Sequence, residues 1–247
     1  MKNPDGVRAR IRRLARSGSR RLGLGASAAG KGREELAFWR SVRDAEGELV
    51  GEHFEAFFTA HFQLDRSFYA GKRLLDIGCG PRGSLEWATA AAERVGLDPL
   101  VGAYRELGID RHEMRYVEAG SEHIPFGDGH FDVVSSFNSL DHVDDLHATI
   151  AEIKRVLKAG GTCLLLTDVN HDPTPTEPIE FSWDVLDLFA PELDVTHVRR
   201  FEKTSPGVYQ SVTAAVPYDE GNPTRRYGVL SARLTKVAAP SNSHPSG

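Results

Sequence analysis

The sequence predicts an α/β fold, a mostly parallel sheet with helices on both faces, and three observations carry that expectation. Short apolar runs alternate with helix-period segments between residues 72 and 167, the pattern of strands laid side by side in parallel through helical crossovers. A glycine-rich turn, "GCGPRG" at 78–83, follows the first of those runs. The last third reads as extended segments without intervening helices, so antiparallel strands are expected to finish the sheet.

Taken in order, residues 1–33 form a basic arm, 34–70 a helical cap, 71–237 the main domain and 238–247 a tail without apolar period. In the cap, "GEHFEAFFTAHFQ" repeats Phe54, Phe57, Phe58, His61 and Phe62 at the period of a helix with one buried face. Strands are expected at 72–77, 94–97, 115–118, 131–136 and 162–167, with a helix-like segment after the glycine turn. "DDLHATIAEIKRVLKAGG" is the clearest helix: Leu146, Ile150, Ile153, Val156 and Leu157 form one stripe, Asp144 or Asp145 caps its start, and Gly160 stops it. Segments 193–203, 207–216 and 226–237 are read as extended.

At 247 residues, 40% of them hydrophobic and 26% charged, the chain has the length and composition of one globular domain. No run approaches the ~18 apolar residues needed to cross a bilayer. Cys79 and Cys163 lie far apart without metal-ligand spacing, which fits reduced, buried thiols and a cytoplasmic setting. The net charge of −5 conceals an opening 33 residues packed with arginine in which Asp5 is the single acid. That arm is expected to be flexible, with weak contact to anionic surfaces or nucleic acid; a targeting role is the alternative.

The glycine turn raises the question of its ligand. Gly78, Gly80 and Gly83 fit the spacing of a dinucleotide fingerprint, but Asp76 would then face a pyrophosphate. Two like charges about 4 Å apart cost about 1 to 4 kcal/mol between water and a protein surface. A ligand carrying an ammonium and a sulfonium reverses that sign, and glycines permit its close approach to the backbone.

With "LLDIGCGPRG" at the first strand, "GLDPL" at the second, "AGSEHIPFGDGHFDVVSS" through the fourth and "EIKRVLKAGGTCLLL" into the fifth, the chain resembles class I S-adenosylmethionine-dependent methyltransferases of type 11. The resemblance covers about residues 72–168. It implies a doubly wound, Rossmann-like sheet of seven strands with the last antiparallel, and S-adenosyl-L-methionine as cofactor. It also implies that Asp76, Gly78, Cys79 and Gly80 hold the methionine end and that Asp98 grips the ribose hydroxyls. Where relatives often carry an adenine-binding Asp, this chain has Gly120. Ser121 and Glu122 are the substitutes, Glu122 being equally readable as a solvated surface acid.

The loop "SFNSLDHVDD" follows the fourth strand, where donor and acceptor meet in this fold. Asn138 is assigned to the methionine amino group and His142 to proton removal from the acceptor, with loop anchoring as the competing role for His142. No metal is expected; the alternative is a hard-oxygen Mg²⁺ set of Asp141, Asp168 and Asn170. The acceptor is expected to be a small molecule or glycan intermediate, methylated on oxygen before nitrogen or carbon. The "DVNHDPTPTEPIEFSWD" segment reads as a wall over its pocket. A non-catalytic binding module with a basic docking arm, or an NAD-dependent oxidoreductase, stands as the alternative function.

Overall fold

A computed structural model describes residues 28–174 and 176–238. The readings placed on residues 1–27 and 239–247 lie outside the described residues. Seven strands, β1 (Arg73–Ile77), β2 (Glu93–Leu97), β3 (Arg115–Val117), β4 (Phe131–Phe137), β5 (Leu157–Val169), β6 (Leu193–Glu202) and β7 (Gly228–Lys236), form one sheet in the order 3-2-1-4-5-7-6. Strands β1 to β5 are parallel, and β7 runs antiparallel to both β5 and β6. This is the doubly wound sheet with an antiparallel last strand that the sequence predicts. The chain leaves β1 in one direction and returns to β4 on its other side, so the carboxyl ends of β1 and β4 flank the crevice where such sheets bind ligands.

Both faces of the sheet are covered. On one, Leu75, Ile77, Val134 and Leu165 pack with Ile150, Ile153 and Val156; on the other, Leu74, Val133, Leu164 and Leu166 pack with Phe58, Phe62, Tyr69 and Val212. Neighbouring strand residues point to opposite faces, and two buried faces explain runs such as "CLLL" that lack polar alternation.

Six α-helices are described: α1 (Ala28–Glu46), α2 (Glu55–Phe58), α3 (Arg66–Tyr69), α4 (Val101–Tyr104), α5 (Leu146–Val156) and α6 (Val208–Ala214). Helix α1 begins inside the segment read as the arm. The aromatic segment is not one helix. It breaks at Thr59 (φ −102°, ψ −92°), whose hydroxyl donates to the Glu55 carbonyl, and continues as a 3₁₀ turn over Ala60–Phe62. Phe54, Phe58 and Phe62 are nonetheless all buried.

Helix α5 is capped by Asp145, whose Oδ1 accepts from the Ala148 amide at 3.0 Å. It stops at Val156 rather than at Gly160, because Leu157 already pairs with Phe131 as the start of β5. Lys236 Nζ donates to the carbonyls of Lys154 and Leu157 at that junction. Two further corrections concern 207–216 and the crossover after the glycine turn. The first is helical over Val208–Ala214, where Val208, Ser211 and Val212 are buried at i, i+3 and i+4. The second, residues 81–92, contains turns and no helix, with Glu86 accepting the amides of Glu113 and Met114 at 3.0 and 2.7 Å.

Candidate active site

β1 and β2 each deliver one acid to the crevice. Asp76 is buried between β1 and β4. Its Oδ2 accepts from Ser84 Oγ at 2.5 Å and its Oδ1 from Ser135 Oγ at 2.7 Å. Burial pushes its carboxyl up to about 6 against the opposing pull of those two hydroxyls. Asp98 closes β2, accepting from the Leu100 amide at 2.9 Å and the Gly80 amide at 3.2 Å. Its carboxyl is likewise pushed up to about 6, mainly by burial and further by the nearby Glu35 carboxylate.

Between them the turn uses its glycines. Gly78 and Gly80 have φ of 66° and 58°, and a Cβ on Gly78 would lie 2.3 Å from Ser139 Cβ. A Cβ on Gly80 would lie 3.1 Å from the Trp39 indole. Cys79 is buried with its sulfur packed towards Gly96, and burial raises its thiol well above the ordinary value, so it contributes a neutral packing group.

Trp39 belongs to α1, which lies across this cradle. Trp39 Nε1 donates to Glu35 Oε1 at 2.7 Å, and Val42 packs with Val101 and Tyr104 beside the end of β2. At one end, Lys31 Nζ bonds Asp144 Oδ1 at 2.5 Å and the His142 carbonyl at 3.4 Å. At the other, buried Arg82 from the glycine turn grips both Glu46 oxygens at 2.8 and 2.6 Å.

The residues chosen to replace the missing adenine acid are engaged elsewhere. Ser121 is buried with Oγ 2.9 Å from Thr149 Oγ1 on α5. Glu122 Oε1 accepts the amides of Asp144 and Asp145 at 2.9 and 3.3 Å, which ties its strand-end loop to the start of α5. Asn138 is in the left-handed region (φ 55°), and its amide donates to the Leu166 carbonyl at 2.7 Å.

One strand over, a 3₁₀ turn after β4 carries Asp141 and His142, and the loop after β5 brings His171 and Glu177 to them. His142 Nε2 is 3.8 Å from Asp141 Oδ1 and 3.9 Å from Glu177 Oε1, and His171 Nε2 is 3.8 Å from Asp141 Oδ2. Asp141 and His171 are each 1% exposed. The other members of the alternative metal set do not join them. Asp168 is paired with Lys203, Nζ to Oδ1 at 2.6 Å, and Asn170 Nδ2 donates to the Arg226 carbonyl at 3.3 Å. The contribution of His171 and Glu177 was missed in the sequence, where the signal was a His and a Glu among closely spaced prolines directly after a strand.

The cradle suits S-adenosylmethionine by its donor set. Two acids sit at adjacent strand ends with small residues between them, and there is no cationic side chain of the sort that pairs a pyrophosphate among the contacts of Asp76 and Asp98. Residues 75–165 match the sequence model of a family described as Methyltransferase domain. A demethylmenaquinone methyltransferase from Thermobifida fusca is 32% identical over 118 residues, 45% of this chain and 49% of that protein. The chain thus spans about half the length of this curated relative. The geranyl diphosphate C-methyltransferase of Streptomyces coelicolor shares the fold at a TM-score of 0.54, with 20% identity over 87% of this chain and 86% of that one. So does the [4+2]-cyclase SpnF, with a TM-score of 0.53 and 20% identity over 70% of this chain and 77% of that one. Sheet order, strand-end acids and glycine turn agree with that match: residues 75–165 are similar to the methyltransferase domain, and the sheet has the Rossmann-like methyltransferase fold.

Proposed function

We propose that the protein transfers the methyl group of S-adenosylmethionine to an oxygen of a small-molecule or glycan-type acceptor. The observation that carries the reading is Asp98, a buried acid at the end of β2 already oriented by the Gly80 and Leu100 amides. Held in that way, it presents a carboxylate to two vicinal hydroxyls without paying to orient itself. Asp76 supplies negative charge at the amino-acid end, while Gly78 and Gly80 leave room for close backbone approach. The bound donor supplies an activated methyl on a sulfonium, so the chain's task is alignment and proton management. Asn138 is assigned to the amino-acid end. In a metal-free site His142 takes the proton from the acceptor hydroxyl, with its Nε2 facing Asp141 and Glu177 at 3.8 and 3.9 Å. The O-methyl reading rests on that polar side of the crevice. The relatives' names include methylation of demethylmenaquinone and C-methylation of geranyl diphosphate, and those activities stay with those proteins.

The test pairs calorimetric titration with S-adenosylhomocysteine and transfer of labelled methyl from S-adenosylmethionine to a panel of hydroxylated small molecules and sugar intermediates. Saturable binding together with base-stable, ether-type label is the expected result. No binding at millimolar ligand removes the reading, and label on carbon or nitrogen removes its O-methyl part.

A further inference from the structure

We propose that Asp141, His142, His171 and Glu177 form a site for one first-row divalent transition-metal ion at the carboxyl ends of β4 and β5. Both oxygens of Asp141, and Nε2 of both His142 and His171, are buried without a hydrogen-bond partner among the described residues. Buried polar atoms in folded proteins nearly always have partners, and four orphans on three side chains, with both imidazoles facing the one Asp141 carboxylate, call for a common one. An ion pair does not answer this. A charge-assisted N–H···O bond closes to about 2.7–2.9 Å, whereas the imidazole–carboxylate separations here are 3.8, 3.8 and 3.9 Å.

Those separations are within about an ångström of the spacing of ligands around an ion. Asp141, His142 and Glu177 each bring one ligand atom within 4.8 Å of the others. Nitrogen and oxygen ligands at about 2.0–2.2 Å from zinc stand a little over 3 Å apart, so binding draws Asp141, His142 and Glu177 in by less than about an ångström per atom, and His171 moves in from the Asp141 side. His171 is prepared for the role. Its Nδ1 lies 3.0 Å from the carbonyl of Asp172, and a carbonyl can only accept, so the proton resides on Nδ1 and the Nε2 lone pair faces Asp141. A ring nitrogen donating to a backbone carbonyl is the usual support of a metal-bound histidine. The ring is stacked on Tyr227 with centroids 5.7 Å apart.

Two imidazoles with two carboxylates favour zinc and its transition-metal neighbours over Mg²⁺ or Ca²⁺, which prefer all-oxygen sets. This distinguishes the site from the hard-oxygen set suggested by sequence. With an ion bound, His142 is a ligand and the ion lowers the proton affinity of the acceptor hydroxyl. That role rests on the methyl-transfer reading; the metal binding itself does not.

The experiment is calorimetric titration of chelator-stripped, full-length protein with Zn²⁺, with Co²⁺ absorption as a second reading of ligand number. Expected are one site per chain, no competition from millimolar Mg²⁺, and a visible Co²⁺ band of four- or five-coordinate type. Asp141→Ala and His171→Ala should weaken Zn²⁺ by about 100-fold or more, while His147→Ala, at an exposed position on α5, changes nothing. His142→Gln, at a half-buried position, serves if the buried variants do not fold. Absence of saturable Zn²⁺ binding by the wild type overturns the proposal, as does equal affinity in the His171→Ala, His142→Gln and His147→Ala proteins. S-adenosylhomocysteine titrated into the same stripped protein separates the readings: its binding without Zn²⁺ binding overturns the metal site and leaves methyl transfer standing.

Discussion

At the ends of β1 and β2, the four carboxylate oxygens of Asp76 and Asp98 each receive a hydrogen bond from within the chain, whereas next door, after β4, neither oxygen of Asp141 receives one from the described residues. All three acids are buried. Their difference lies in who supplies the donors. The proposed donor cradle is set in advance by hydroxyls and amides, so a ligand there would add contacts to groups already in position. The proposed acceptor side holds polar atoms whose isolation costs about 1–3 kcal/mol each, and the proposed ion would be their partner. One crevice therefore combines a preorganised half and an unfinished half.

Single substitutions should dissociate the halves. The largest effect is expected from Asp98→Ala, which should weaken S-adenosylhomocysteine by about 1.5–3 kcal/mol, or roughly ten- to a hundredfold, measured by calorimetry. Zn²⁺ affinity should be unchanged in the same variant. If both ligands weaken together, the halves are one coupled site.

Asp76→Asn should raise stability while it weakens the cationic donor. The folded carboxyl titrates at about 6, above its ordinary value of 3.8, so the wild type loses stability as pH rises from about 4 to 6 and carries the full cost above 6. Removing the charge should therefore gain on the order of 1–3 kcal/mol at pH 7.5 and nothing below about pH 4. Thermal melts of both proteins across that range check it; a gain independent of pH would mean that the charge is not its source.

Donor affinity carries a smaller pH signature. Asp98 also titrates at about 6, and hydrogen bonds from ribose hydroxyls and a nearby ammonium favour its ionised form. Affinity for S-adenosylhomocysteine should therefore rise about threefold to fourfold from pH 5.5 to pH 7 and level off above, with protons released on binding. A flat profile would place the ligand away from Asp98. The smallest effect belongs to Ser121→Ala. With its hydroxyl committed to Thr149, the change should move donor affinity by less than about 0.5 kcal/mol. A tenfold loss would return Ser121 to the adenine site.

What could be read from the sequence follows the range of the interactions. β1, β4 and β5 were legible because burial on both faces leaves near-continuous apolar runs, and α5 because its stripe and Asp145 cap are local. Val208, Tyr209 and Val212 favour strands by composition, yet the buried set Val208, Ser211 and Val212 has helical spacing; reading residue type over spacing misplaced α6. The helix expected after the glycine turn failed because Glu86 ties that short crossover to the start of β3, a contact that local sequence does not display. In the site, Asp76 and Asp98 were visible as acids ending apolar strands. The meeting of Asp141 with His171 and Glu177 depends on a loop folding back across the sheet edge. Likewise the fates of Ser121 and Glu122 were set by α5, not by their neighbours in sequence.

The position of Trp39 has a consequence in time. A mere methyl on Gly80 would already sit 3.1 Å from the indole, so a molecule resting on Gly80 cannot arrive without moving that ring, and with it the helix that carries it. The helix is latched by Lys31 to Asp144 at one end and by Arg82 to Glu46 at the other. Ligand exchange at the proposed cradle should then depend on unlatching, and the Lys31–Asp144 latch, whose acid is exposed, is the one that dissolved salt can loosen.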